Sequence, residues 1–104
     1  MKKVTIILHE QNGSQFVNAI FVGEFDLEKI ERIKAPFDKV ETTERAFYFT
    51  KELHNRGENF VRWLVDFVEN EILEKENTMK IEEKIWEKGN LKRWELDLWQ
   101  ISNS

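Results

Sequence analysis

The dipeptide Asn12-Gly13 constrains this chain more than any other feature. A two-residue type I′ turn needs positive φ at both central positions, and Asn-Gly is the pair that most readily adopts it. Pairing outward from that turn sets Leu8 against Val17, Ile6 against Ala19 and Val4 against Phe21. All are apolar, and side chains alternate along a strand, so they share one face. Residues 2–25 therefore read as a hairpin. Its other face carries Lys3, Thr5, Ile7, His9, Phe16, Asn18, Ile20 and Val22. That mixture suggests a face half covered by a helix.

A second hairpin is expected over residues 78–102, around Gly89-Asn90 as a type II′ turn. Pairing outward places Ile85 opposite Trp94 and Ile81 opposite Leu98, with Met79 and Leu96 on the same face and Glu83 as its exception. The other face pairs Trp86 with Arg93, Lys84 with Glu95 and Lys80 with Trp99. Two cation–aromatic pairs and one ion pair in a single register support that alignment. Glu82 opposite Asp97 conflicts with it, which implies a slipped register or a partner at that point.

Between the hairpins, residues 26–34 read as a short helix. Asp26 is a good N-cap, Phe25 and Ile30 fit a hydrophobic staple, and Leu27, Ile30 and Ile33 share a face. Pro36 ends the helix by disfavouring α geometry at Ala35. Residues 44–51, rich in aromatics, read as a strand, with a helix from Glu41 as the competing reading. Residues 58–75 form the clearest helix, with Val61, Leu64, Val65, Val68 and Ile72 at helical spacing and Phe60, Trp63 and Phe67 widening the apolar arc. Trp63 with Phe60 and Phe67 would suit a small-molecule pocket, but that spacing favours core packing. Its acidic end, Glu69, Glu71, Glu74 and Glu76, opposes the helix dipole and should fray the last turn.

The order β-β-α-β-α-β-β implies one α+β domain over residues 1–104, with a mainly antiparallel sheet and helices on one face. Two hairpins in separate layers are the alternative. A hairpin at each terminus would also leave edges through which a second chain could extend the sheet, as in a homodimer.

Composition narrows function. Sixteen Lys and Arg against twenty Asp and Glu leave a net charge of −4, which excludes a strongly basic duplex-DNA binder. The absence of cysteine removes disulfides, thiolate metal sites and Cys nucleophiles. The apolar run Val4–Leu8 is shorter than the roughly 7–15 residues of a secretory core. No stretch approaches the ~20 apolar residues of a membrane span. A cytoplasmic protein that does not engage membranes is expected.

Catalytic constellations are sparse. His9 and His54 are the histidines, with no His-x-His or His-Glu-x-x-His, so no metal site is expected. His54 with Glu52, Glu58 or Tyr48 is the one polar group that could serve a small enzyme or ligand-binding domain. Serines fall at a turn or at the C-terminal end, and glycines are too scattered to cradle a phosphate. No cofactor is implied, and the expected protein is not an enzyme.

The second hairpin is where residue types converge. Trp86, Trp99, Arg93, Lys80 and Lys84 form a candidate partner-binding surface, since exposed Trp with Arg is the composition of an interface hot spot. The leading reading is a small acidic protein–protein interaction module of the inhibitor, antitoxin, immunity or phage host-binding kind, acting by stoichiometric binding. The alternative is single-stranded nucleic-acid binding through the same Trp/Lys face, which Glu82, Glu95 and Asp97 weaken.

Overall fold

The computed structural model describes residues 2–100. Six strands and two helices follow one another as β1 (Lys2–Gln11), β2 (Ser14–Val22), α1 (Leu27–Lys34), β3 (Lys39–Thr42), β4 (Ala46–Leu53), α2 (Gly57–Phe67), β5 (Met79–Lys88) and β6 (Leu91–Gln100). The strands make one antiparallel sheet in the order β3-β4-β2-β1-β6-β5. Both helices cover the same face, so the α+β reading holds. The two hairpins lie in a single sheet because β1 pairs with β6.

Both expected registers are present. Asn12 and Gly13 have φ of 52° and 80°, as a type I′ turn requires, and Leu8, Ile6 and Val4 face Val17, Ala19 and Phe21. Gly89 has φ of 60°, and Ile85 faces Trp94, Trp86 faces Arg93 and Glu82 faces Asp97. Residues 101 and 102 of the second hairpin lie outside the described residues. The two turns meet at one end of the sheet, where Asn90 Nδ2 donates to the Glu10 carbonyl at 2.9 Å.

Several details differ from the sequence reading, and Ala35, for one, keeps helical geometry (φ −51°, ψ −44°) although Pro36 follows it. Residues 39–53 form a hairpin rather than a lone strand, and no helix starts at Glu41. Asp38 fastens this hairpin by accepting from the Glu52 N–H at 2.8 Å and from Lys51 at 3.3 Å. Leu27 is exposed, because α1 turns only Ile30 and Ile33 inward. β1 and β2 are both interior strands, so only the second of the two terminal hairpins leaves an edge, β5, and the other edge is β3. The long helix leaves α geometry at Val68 and closes with a π turn over Val68–Ile72, in which the Leu73 N–H reaches the Val68 carbonyl. Ile72 and Leu73, at the end of that turn, are both buried.

The core lies between the helices and β1, β2, β4 and β6. Val4, Ile6, Val17, Ala19 and Phe21 meet Ile33, Val61 and Leu64 with no exposed surface. An aromatic chain runs outward from the sheet through Phe21, Phe49, Phe37 and Phe60 to Trp63, with ring centroids 5.1–5.6 Å apart. Phe60 and Phe67 are thus packing residues, and half-exposed Trp63 lies between them, its ring centroid 5.6 and 5.7 Å from theirs. α2 begins without a side-chain cap of its own. Gln15 Oε1 from β2 instead accepts from the Gly57 N–H at 2.7 Å, which ties the helix start to the first hairpin.

Candidate functional site

Because both helices lie on one side, the opposite face of the sheet is open from β4 to β5. No helix half-covers the mixed face of the first hairpin. The pairing sets three rows across this face. One runs Thr50, Asn18, Ile7, Arg93, Trp86. The next runs Tyr48, Ile20, Thr5, Glu95, Lys84, and the third Val22, Lys3, Asp97, Glu82. Beyond them Trp99 faces Lys80 on the last two strands.

The face has two halves. On β4, β2 and β1, Ile7, Ile20 and Tyr48 line a shallow concavity of about 380 Å³ with Asn18 and Thr50. A hydrogen-bond chain crosses these strands. The Thr50 hydroxyl donates to Asn18 Oδ1 at 3.3 Å, and Asn18 Nδ2 lies 3.2 Å from His9 Nε2. With its oxygen engaged by Thr50, Asn18 turns its amide N–H group toward His9 Nε2. The ring stacks on Phe16 with centroids 5.3 Å apart.

On β6 and β5 the face is charged and aromatic. Arg93 lies over the Trp86 ring, 4.3 Å from its centroid. Glu95 is held by Lys3 at 3.6 Å and by Arg93 Nε at 3.7 Å, and Lys84 reaches Glu82 at 3.3 Å. Trp86 and Trp99 stay 43% and 39% exposed. Large aromatic rings left this open on one face mark a surface suited to contact. Asp97 is only 5% exposed, and its Oδ1 accepts no hydrogen bond.

Trp86, Trp99, Arg93, Lys80 and Lys84 therefore share one surface, as their register requires. The second group does not assemble. Glu52 belongs to the open face, beside Phe16. Glu58 sits in the first turn of α2, on the helix side, and meets Lys92 at 3.5 Å. His54 is exposed in the connection between them. The sheet separates the two carboxylates that would flank the histidine. Ile7, Ile20, Asn18 and Thr50 were not singled out as binding residues, whereas Asp97 was marked only by its conflict with Glu82.

On the helix side a groove runs between α2 and the last hairpin, formed by two adjoining hollows of about 300 and 410 Å³. Glu10, Glu58, Asp66, Glu69, Glu83 and Glu87 line it against Arg62 and Lys92. That excess of four carboxylates equals the whole net charge of the chain. Here the Glu83 carboxyl lies in hydrogen-bond reach of Glu69. Burial, then Glu83 and Asp66, push the Glu69 carboxyl above its ordinary value. Among the described residues no group of three or more His, Asp and Glu is placed to hold a metal ion, and no helix is long and apolar enough to cross a membrane.

The chain matches no protein-family model, and no curated protein is detectably similar to it.

Proposed function

We propose that this protein is a stoichiometric binding module whose open sheet face contacts another protein. The observation that carries this reading is the uncovered face from β4 to β5, with Trp86 and Trp99 at one end and Ile7, Ile20 and Tyr48 in a concavity at the other. Such a surface joins aromatic anchors to a polar surround, the anatomy of a protein interface. The inhibitor, antitoxin, immunity and host-binding classes all act this way and need no catalytic group.

The ion pairs favour a protein partner over single-stranded nucleic acid. Arg93, Lys3 and Lys84 are each engaged by Glu95 or Glu82, so most of the cations a phosphate backbone would need on this face are already neutralised, with Lys80 an exception among the described residues. Binding without catalysis agrees with the parting of His54, Glu52 and Glu58.

The test is affinity capture from lysate of the source cells by the full chain, with and without nuclease, followed by the same capture with Trp86→Ala, Trp99→Ala and Trp63→Ala. A protein that survives nuclease, is lost with either open-face variant and is kept by Trp63→Ala supports the reading. Retention by both open-face variants overturns it. Sedimentation of the purified chain separates a second copy from a foreign partner.

A further inference from the structure

Among the described residues, Asp97 is the one charged group of β6's open face without a counter-charge. It is nineteen-twentieths buried, and its Oδ1 has neither solvent nor a hydrogen-bond donor. Its register neighbours are Lys3 on β1 and Glu82 on β5, and on its own strand Glu95 and Trp99 share its face. The nearby cations are committed elsewhere: Lys3 and Arg93 to Glu95, and Lys84 to Glu82. Lys80, exposed and opposite Trp99, makes no ion pair among the described residues.

An ionised carboxylate only accepts, so an enclosed oxygen without a donor destabilises the fold. Glu82 directly opposite adds like-charge repulsion. A neutral donor would relieve the first defect and leave the second. A cation relieves both. Two residues along the same face, Trp99 offers a half-exposed ring on which a cation can lie.

We infer that the protein partner engages this face through a basic side chain, an arginine or lysine, which enters beside Trp99 and donates to the Asp97 carboxylate. The inference rests on the open face being the binding surface and names the chemistry of the contact. Arginine suits it better than lysine, because its planar guanidinium can lie on the indole while its N–H groups reach Asp97 and Glu82.

The test is an NMR titration of the full ¹⁵N-labelled chain with N-acetyl-L-argininamide, against N-acetylglycinamide at matched chloride. The expected result is a saturable shift of the Trp99 indole N–H and the Asp97 amide in the millimolar range. That shift should weaken roughly tenfold or more in Asp97→Asn and persist in Glu24→Gln. Should Asp97→Asn not fold, Trp99→Leu replaces it, and the Asp97 shift should weaken in the same way. No saturable shift, or a shift in Asp97→Asn (or in Trp99→Leu) equal to the parent's, overturns the inference. Capture lost with Trp86→Ala alongside a silent titration would remove this contact and leave the binding-module reading standing.

Discussion

Replacing Glu83 by glutamine should stabilise the protein near neutral pH and do nothing favourable in acid. Glu69, on the π turn, is partly buried, and its carboxyl contacts that of Glu83 on β5. Burial first, then Glu83 and finally Asp66 one turn earlier hold the Glu69 carboxyl above its ordinary 4.5. A folded-state value raised above the unfolded one means that the fold prefers the protonated acid. Its stabilising contribution is complete below about 4.5 and is lost as pH rises through the folded value. Above that value the charged Glu69 carboxylate is opposed by burial and by the Glu83 carboxyl. Both carboxyls also reach solvent, so screening keeps the effect in the range of exposed pairs, about 0.2–1 kcal/mol. For a domain of this size that corresponds to a rise in Tm of roughly 1–8 °C. Urea unfolding at about pH 7 and pH 4, in low and high salt, measures it, with Glu71→Gln on the same turn as control. The variant should gain at neutral pH, lose most of that gain in salt, and match or fall below the parent in acid. A loss at neutral pH, or the same gain at both, would refute the argument that two carboxylates oppose each other here.

Two further changes probe elements that set up the open face. Gly13→Ala should cost about 1 kcal/mol by urea unfolding, because φ is 80° there and nothing lies within 4 Å of the added Cβ, so backbone strain is the whole effect. Gly13→Asn should cost less, and equal losses would point to a contact instead. Asp38→Ala should speed hydrogen exchange at the Glu52 amide and loosen β3. The Glu52 N–H, ahead of Lys51, holds the Asp38 carboxyl below its ordinary 3.8, so this contribution is present above that value and fades as pH falls through the lower one. An unchanged Glu52 exchange rate counts against this role.

What the sequence revealed depended on distance along the chain. Both hairpins were legible because a two-residue turn fixes register and strand parity then decides every pair, from Leu8–Val17 to Trp86–Arg93. β3 was not, since Lys39–Thr42 is a short, mostly exposed edge strand whose shape comes from Asp38 and its pairing with β4. The π turn breaks the periodicity from which the helix was read. The same limit governs the site. Trp86, Arg93, Lys84 and Trp99 were found together because one hairpin holds them all. Their continuation into Ile7, Ile20 and Tyr48 rests on pairings of β1 with β6 and β2 with β4, which no local pattern specifies. Conversely His54, Glu52 and Glu58 are neighbours in sequence and are parted by the sheet.

Glu82 and Asp97 mark the point where local and global preferences disagree. A strand pair that opposes two acids could avoid the conflict by slipping two residues, which would preserve its faces but not its turn. The chain does not slip: the Gly89-Asn90 turn, the Ile85–Trp94 and Ile81–Leu98 contacts and the Arg93–Trp86 stack all hold the register. The opposition therefore stays, and β6 carries a buried carboxylate between Lys3, already engaged, and Glu82, which repels it. A hydrophobic or neutral residue at position 97 would suit the isolated fold better. Sites that break a local rule without a compensating contact inside the chain are where function most often resides. That is the physical reason to look for the missing cation on a partner.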